Sequence, residues 1–329
     1  MTKQESIHSG FGPTSTAEEI LHGVDLSGKT AIVTGGYSGI GRETTRALAA
    51  AGATVVVPAR DREKAKQTLG DLPRVEQGRV DLLDPDSIDA FAREFLASNR
   101  PLHILINSAG IMAAPLSRDA RGHESQFSTN HLGHFQLTAR LWPALLAARG
   151  ARVVSVSSRA HQFAGVDFED PNFQRRPYDR WQAYGQSKTA NVLFAVELDR
   201  RAEPNHVRVF AVHPGAILTE LGRYMTDDDL QRYGLSRDYK PGSVPAGRSV
   251  AEGGMFKTIE QGAATQVWCA TSSQLAGMGG IYCEDVDVTG PLDSKTALAN
   301  GVASWAIDPD LAKRLWTLSE ELTGLRFGG

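Results

Sequence analysis

The sequence predicts one α/β domain built on a doubly wound, mostly parallel sheet with helices on both faces. From residue 29 onward, short apolar segments rich in β-branched residues alternate with longer segments of helical periodicity. Strands without a polar face must be covered on both sides, and helical connections between them favour right-handed parallel crossovers. The predicted strands are residues 30–34, 53–57, 75–80, 102–106, 151–157 and 206–212.

The connecting helices are indicated by their apolar spacing and by acidic residues in their first turns. The clearest examples between strands are GRETTRALAAAG, from residue 41, and DPDSIDAFAREFLAS, from residue 84. A further helix is predicted in DPDLAKRLWTLSEELTGL, from residue 308. Since neither an internal repeat nor a low-complexity linker interrupts the alternation, we expect a single domain.

The composition is that of an ordinary globular protein and argues against two classes of function. The 329 residues are 41% hydrophobic and 22% charged, with a formal net charge of -3 and no long basic segment. Nucleic-acid binding requires concentrated positive charge, so none is predicted. No segment approaches the ~20 apolar residues of a membrane span, and we expect a cytoplasmic protein. Cys269 and Cys283 are expected to be packed thiols in a buried helix and strand.

The first strand leads into a glycine-rich loop, TGGYSGIG, at residues 34–41. Glycines at a strand-to-helix junction let the backbone turn tightly and approach a pyrophosphate, and the helix N-terminus offers free N–H groups. With its G-x-x-x-G-x-G spacing, the loop predicts a Rossmann-type dinucleotide site. The predicted contacts are Gly35, Ser38, Gly39, Ile40 and Gly41.

The end of the second strand bears on the choice of cofactor. An acidic residue there binds the ribose 2′-OH of NAD, whereas a cation accepts the 2′-phosphate of NADP. Ala59 occupies the expected acidic position and Arg60 follows it, which favours NADP(H). The alternative is that Arg60 is a solvated charge and that Asp61 either caps the next helix or serves the ribose of NAD(H).

The segment AYGQSK places Tyr184 four residues before Lys188. On a helix these side chains are neighbours. A free tyrosine, with a pKa of about 10, is a poor base at neutral pH, but a nearby ammonium favours the phenolate and lowers that pKa. The pair is therefore predicted to exchange a proton with a carbonyl or alcohol oxygen.

Several motifs occur together in the order and spacing of the short-chain dehydrogenases/reductases, which the sequence resembles. These are TGGYSGIG, NSAG at 107–110, Ser158, the YxxxK of 184–188 and HPG at 213–215. More specific phrases resemble the retinol dehydrogenase and WW-domain-containing oxidoreductase group, and the N-terminal STAEEILHGVDLSGKTAIVTG resembles chloroplast-envelope relatives. These phrases are NHLGHF (130–135), VVSVSSRAH (153–161) and AYGQSKTANVLF (183–194). The resemblance covers about residues 14–325.

The resemblance implies four catalytic residues, Asn130, Ser158, Tyr184 and Lys188. Ser158 would orient the substrate oxygen, with Ser157 as the rival candidate because successive strand residues face opposite sides. Tyr184 would be the general acid/base, Lys188 would also hold the nicotinamide ribose, and Asn130 would hold a proton-relaying water.

The resemblance also implies further cofactor contacts, in which Ser108 replaces the second asparagine of the family's Asn-Asn-Ala-Gly motif. The implied contacts, besides Tyr184 and Lys188, are Asp81, Leu82, Asn107, Ala109, Gly110, Pro214, Gly215 and Thr219. No metal is expected, because His131, His134 and His161 have no acidic or cysteine partner placed with them.

The predicted organisation is a polar N-terminal extension, 1–27, followed by a single Rossmann-type catalytic domain, 28–329. One or two helical turns are expected within 16–21. Inside the domain, the weakly patterned segment 216–256 is interpreted as a substrate loop, and 286–329 as a C-terminal extension.

The predicted activity is NADP(H)-dependent hydride transfer to or from a hydrophobic ketone, aldehyde or secondary alcohol. The alternative is a non-catalytic nucleotide-binding protein that senses redox state or acts as a scaffold. A homodimer formed through helices near 120–148 and 180–202 is the expected partner, although the insert between Ser158 and Tyr184 and the C-terminal tail could cover that face.

Overall fold

The computed structural model describes residues 2–70, 72–292 and 299–327. Within them, eight strands form one sheet. They are β1 Thr30–Val33, β2 Thr54–Ala59, β3 Val75–Arg79, β4 Ile104–Asn107, β5 Arg152–Val156, β6 Arg208–His213, β7 Ile281–Glu284 and β8 Asp287–Val288. Their order is β3-β2-β1-β4-β5-β6-β7-β8, and all pairs are parallel except β7 with β8. The predicted doubly wound sheet is confirmed.

The helices lie on both faces of this sheet. They are α1 Ala17–Leu21, α2 Gly39–Ala50, α3 Arg62–Leu69, α4 Pro85–Ala97, α5 Ser125–Phe127, α6 Gly133–Ala147, α7 Arg180–Ala202, α8 Asp227–Arg232, α9 Ile259–Thr271 and α10 Pro309–Thr323. Alternate residues of β1 separate the two layers, as the pleat of a strand requires. Ala31 and Val33 pack with α2 and α9, whereas Ile32 packs with α4, α6 and α7.

The six predicted strands correspond to β1–β6, and the three predicted helices to α2, α4 and α10. Strand β7 was indicated only through Cys283, and β8 is too short to leave a pattern. Helix α8 lies inside the expected irregular segment 216–256. Its acidic first turn follows a capping box between Thr226 and Asp229, a local signal that favours a helix start.

The N-terminal segment is bound to the domain rather than free of it. Ala17, Ile20 and Leu21 are buried in the same apolar cluster as α2 and α9. The Gln4 side chain donates to the Tyr282 carbonyl at 2.7 Å and accepts from the Tyr282 N–H at 3.0 Å. Hydrogen bonds and apolar contacts thus cross the predicted boundary at residues 27/28. Within the described ranges, no helix combines the length and apolar composition needed to cross a bilayer.

Helix α10 docks the C-terminal part of the chain onto α6 and α7. The Trp316 ring stacks on Phe194, with centroids 6.2 Å apart, and packs edge-on against Phe135 and Phe327. This contact covers part of the α6–α7 face on which the homodimer was expected. Within the predicted extension 286–329, residues 293–298 and 328–329 lie outside the described part of the chain.

Replacing Trp316 with alanine should test how far this docking stabilises the fold. The side chain is 1% exposed, so Trp316→Ala is expected to lower the free energy of unfolding by about 3–5 kcal/mol, measured by urea denaturation. Trp305, which is 37% exposed, is the matched control, and Trp305→Ala should cost well under half as much. Equal losses in both variants would contradict a specific role for Trp316.

Candidate functional site

A cavity of about 420 Å³ lies at the carboxyl ends of the strands, where parallel α/β sheets bind their ligands. Asn107 and Pro214 are not among its lining residues, whereas the other predicted cofactor contacts are. The predicted residues that line it are Gly35, Ser38, Gly39, Ile40, Gly41, Arg60, Asp81, Leu82, Ala109, Gly110, Tyr184, Lys188, Gly215 and Thr219.

The glycine loop leaves room for a dinucleotide against the backbone. Gly35 and Gly39 have φ angles of +66° and +50°, which other residues rarely adopt. A Cβ on Gly41 would overlap the carbonyl oxygen of Gly35. Ser38, the residue before α2, makes no side-chain capping bond, so the first N–H groups of α2 are left for a ligand. These features fit a pyrophosphate at the start of α2.

The far end of this cavity separates the roles of Arg60 and Asp61. The Asp61 side chain accepts a hydrogen bond from the Lys64 backbone N–H at 3.0 Å and thereby caps α3. Arg60 is exposed and lines the cavity. Lys64, also in the lining, forms an ion pair with Glu220. The carboxylate that could serve a ribose is thus engaged as a helix cap, as one of the sequence-based alternatives proposed.

Asn107 lies behind the cavity wall. Its side chain is 1% exposed, and its Nδ2 donates to Thr138 Oγ1 at 3.2 Å. Its Oδ1 is buried without a hydrogen-bond partner in the described structure. Asn107 therefore does not line this cavity, because its side chain at the end of β4 is directed towards α6.

A buried histidine fixes the loop that follows β4. The Asn130 carbonyl can only accept, so His134 Nδ1 carries the proton of their 3.0 Å bond and Nε2 accepts from Thr34 Oγ1 at 2.9 Å. The same Thr34 oxygen accepts the N–H groups of Ser108 and Ala109 at 2.9 and 3.0 Å. Burial lowers the pKa of His134 to about 4, so its imidazole is neutral at neutral pH and can both donate and accept in these hydrogen bonds.

Tyr184 and Lys188 lie one turn apart on α7, with Lys188 Nζ 5.6 Å from the centre of the Tyr184 ring. Burial lowers the pKa of Lys188 to about 7. Burial also raises the pKa of Tyr184 above its ordinary value, although a hydrogen bond with the Ser158 side chain opposes the rise. The sequence predicted a lowered phenol pKa, whereas here desolvation outweighs the hydrogen bond with Ser158 and raises it, so the phenol is protonated at neutral pH.

The two serines after β5 face different environments. Ser157 Oγ donates to the Lys188 carbonyl at 2.7 Å, whereas Ser158 lines a second cavity together with Tyr184. His161 holds Ser158 in place: its Nε2 accepts from the Ala303 N–H at 3.1 Å, so its Nδ1 donates to the Ser158 carbonyl at 2.7 Å. Of the two serines, only Ser158 lines the second cavity, whereas Ser157 lines the first.

Asn130 lies in a single π-helical turn, 128–132, that joins α5 to α6. Such turns are rare in proteins, and those that occur are often found at functional sites. No sequence signal indicated this one. The Asn130 side chain exchanges hydrogen bonds with the Ile111 backbone and donates to Ser187 Oγ at 2.9 Å. A Cβ on Gly110 would lie 3.0 Å from Asn130 Oδ1 and 3.7 Å from Lys188 Nζ, so both side chains flank Gly110.

The second cavity has a volume of about 430 Å³ and is lined mainly by apolar side chains. Several come from the predicted substrate loop, and Pro13 comes from the N-terminal segment, a contribution that the sequence did not reveal. The loop residues in the lining include Ile217, Leu218, Leu221, Met225, Tyr233, Leu235, Tyr239, Val250, Met255 and Phe256.

Five residues line both cavities, and Tyr184 is one of them. The others are Gly215, Ile217, Thr219 and Leu221. The phenol thus stands where the contents of the two cavities would meet.

The third of the histidines considered as metal ligands, His131, and the two cysteines have packing roles in the described structure. His131 is buried and hydrogen-bonded to Ser319 Oγ on α10 at 2.7 Å, and burial lowers its pKa to about 3. Cys269 and Cys283 are buried free thiols, on α9 and β7. Within the ranges described, no three His, Cys, Asp or Glu side chains form a group that could hold a metal.

Comparison with known proteins identifies the family. The chain matches the family profile described as short chain dehydrogenase over residues 29–230, more than half of its length. The chain belongs to the short-chain dehydrogenase/reductase family. It is 44% identical over 302 residues to a Streptomyces lividans protein described as a probable oxidoreductase, covering 89% of this chain and 97% of that relative.

Two further similarities extend over nearly the whole chain. It is 38% identical over 310 residues to retinol dehydrogenase 12 of Homo sapiens, with 92% of this chain and 89% of the relative covered. A crystal structure of an uncharacterized protein from Mycobacterium Paratuberculosis is similar with a TM-score of 0.71 and 32% identity, covering 96% of this chain and 100% of that one. The predicted resemblance is confirmed, and the family uses nicotinamide cofactors.

The lowered pKa of Lys188 has a consequence for stability. Above about pH 7 the folded chain releases a proton that the unfolded lysine holds until about pH 10. Because the unfolded state binds more protons in this window, the free energy of unfolding rises with pH. Relative to Lys188→Met, the cofactor-free protein should gain roughly 2 kcal/mol between pH 7 and pH 9, measured by urea denaturation.

The control for this comparison is Lys313→Met, which removes an exposed lysine from α10. Its difference from the wild-type protein should stay constant over the same pH range. If the curves for wild type and Lys188→Met also ran parallel, Lys188 would titrate as it does in the unfolded chain, and its lowered pKa would be wrong.

Proposed function

We propose that the protein is an NADP(H)-dependent oxidoreductase that transfers a hydride between nicotinamide and a hydrophobic ketone, aldehyde or secondary alcohol. The observation that carries this proposal is the position of Tyr184 on the wall shared by two cavities. One has a glycine loop and an uncapped helix start that suit a dinucleotide, and the other is mainly apolar.

Tyr184 acts as the general acid and base in this proposal. The nicotinamide would supply or accept the hydride. Because burial raises the pKa of Tyr184, its phenol is protonated at neutral pH and can donate a proton to the oxygen of a carbonyl that is being reduced. In alcohol oxidation the same oxygen would take the proton back. Ser158, which hydrogen-bonds to Tyr184, would orient the reacting oxygen.

Lys188 and Asn130 would support this proton transfer from the same side of the site. Lys188 lines the dinucleotide cavity, from which its ammonium would hold the nicotinamide ribose. Asn130 would hold a water beside Lys188, next to Gly110. A charge on Lys188 would also favour the phenolate during alcohol oxidation.

NADP(H) is favoured over NAD(H) by the end of β2. Asp61 and Arg60 are both exposed in the cavity lining, but Asp61 already caps α3, whereas the Arg60 guanidinium can bind a 2′-phosphate. Of the remaining expectations, the cytoplasmic location stays a prediction. A homodimer would have to form beside α10, because this helix packs on α7.

Removing the hydroxyl of Tyr184 should abolish most of the chemistry. A positioned general acid contributes roughly 10²- to 10⁴-fold to a rate, so Tyr184→Phe is expected to lower kcat by that factor. NADPH binding, measured by fluorescence titration, should persist. Wild-type turnover in this variant would show that Tyr184 is not the proton donor.

The matched control is Tyr282→Phe. The Tyr282 hydroxyl is buried without a hydrogen-bond partner in the described structure, and this residue lines neither cavity. The kcat of the Tyr282→Phe variant should stay close to that of the wild-type protein. A comparable loss in both variants would point to damaged packing rather than to lost proton transfer.

Reversing the charge at Arg60 should change the cofactor preference. Losing a charge-assisted hydrogen bond to the 2′-phosphate is expected to lower kcat/KM for NADPH by about 10- to 100-fold in Arg60→Glu, with a smaller effect for NADH. Arg62→Glu, an exposed reversal outside the cavity lining, is the control and should preserve the preference. A clear preference of the wild-type protein for NADH would contradict the assignment of NADP(H) as the cofactor.

A panel of aldehydes, ketones and enones tests the proposed activity against the non-catalytic alternative. NADPH consumption with a ketone or aldehyde is the expected result. Tight NADPH binding with no turnover of any compound would favour a redox-sensing or scaffold protein, and turnover of enones alone would indicate a double-bond reductase.

A further inference from the structure

The apolar cavity has one polar wall, formed where β5, β6 and β7 end. Besides Ser158, this wall contains Arg159, His213, Lys257 and Asp285. The strands are neighbours in the sheet, about 4.8 Å apart, so the ends of β5 and β7 are roughly 10 Å from each other. Proton transfer by Tyr184 and Ser158 uses only the β5 end of this wall and leaves the β7 end without a function.

Lys257, which is buried, and Asp285, which is partly exposed, form an ion pair at the β7 end. Lys257 Nζ lies 2.6 Å from Asp285 Oδ1, with the side chains 3% and 23% exposed. The stem of Lys257 packs on Gly215, where a Cβ would lie 2.6 Å from Lys257 Cδ, and its backbone N–H donates to the Ala216 carbonyl. The pair is therefore held against a residue that lines both cavities.

The turn that carries Asp285 is strained. Asp285 and Val286 have φ angles of +52° and +63°, and this conformation is unfavourable for a β-branched residue such as Val286. The Val286 N–H donates to Thr265 Oγ1 at 3.2 Å, which anchors the turn to α9. Strain of this kind is retained where the surrounding structure enforces it, often at a functional site.

The charges on this wall are matched pair by pair. Arg159 lies 3.0 Å from Glu284, and Lys257 pairs with Asp285. An added carboxylate would be repelled by Asp285, and an added ammonium by Lys257. A hydroxyl, in contrast, can accept from the ammonium and donate to the carboxylate at the same time.

We propose that Lys257 and Asp285 bind a hydroxyl group of the substrate. The preferred substrates are then apolar ketones or aldehydes, or the corresponding alcohols, that carry a second hydroxyl remote from the reacting oxygen. This inference rests on the proposed function and specifies its substrate class.

The test compares linear methyl ketones of one chain length, unsubstituted or with a single hydroxyl at successive carbons, and a keto acid of the same length. Because hydrogen bonds to charged groups are strong, one hydroxyketone should exceed the unsubstituted ketone in kcat/KM by about 10- to 100-fold, and the keto acid should show no such gain. Equal values for all ketones in the wild-type protein would overturn the inference and leave the proposed function intact.

The variant Lys257→Met with Asp285→Asn removes the pair without leaving a buried charge, and asparagine tolerates the left-handed backbone. The preference for the hydroxyketone should fall to near unity, whatever the absolute rate. The matched control, Lys313→Met with Asp310→Asn, removes an exposed pair of the same type on α10 and should keep the preference. A retained preference in the first variant would overturn the inference.

Thermal unfolding and NADPH titration check that both variants fold. If the variant that lacks the Lys257–Asp285 pair does not fold, the hydroxyketone series in the wild-type protein decides alone. If no ketone in the series and no compound in the wider panel is consumed while NADPH binds, the proposed function fails, and this inference fails with it.

Discussion

The carbonyl oxygen of Val156 holds the site together. It accepts hydrogen bonds from Lys188 Nζ and Asn191 Nδ2, both at 2.9 Å, at the point where β5 ends. One residue further on, Ser157 returns a hydrogen bond to the Lys188 carbonyl. These bonds fix α7 to the end of β5, so Tyr184 and Ser158 meet across a defined gap. The positions of both cavities depend on this junction.

The burial that creates the junction also sets its protonation states. Desolvation disfavours charge on both side chains, so it lowers the pKa of Lys188 and raises the pKa of Tyr184. Two buried, neutral histidines extend the hydrogen-bond network around this junction. His134 ties α6 to the glycine loop through Thr34, and His161 ties Ser158 to the backbone of Ala303. Each is a fixed donor and acceptor because it is buried.

The apolar cavity is completed by parts of the chain outside the segment that matches the family profile. The family profile ends at residue 230, whereas Lys257 and Asp285 come from later elements and Pro13 from the N-terminal segment. Every residue that lines the cavity at the glycine loop lies within the matched segment, whereas the apolar cavity also takes residues from before and after it.

The sequence by itself determined the sheet, the glycine loop and the spacing of Tyr184 and Lys188, because periodicity and short-range geometry fix these features locally. It could not give the direction of the Tyr184 pKa shift, since desolvation depends on everything that packs around the phenol. It indicated Asn107 as a cofactor contact, and only the tertiary structure shows that this side chain packs against Thr138 behind the cavity wall. The π-turn at Asn130 and the pairing of Lys257 with Asp285 were decided only by tertiary structure, because each joins residues whose contact leaves no local pattern.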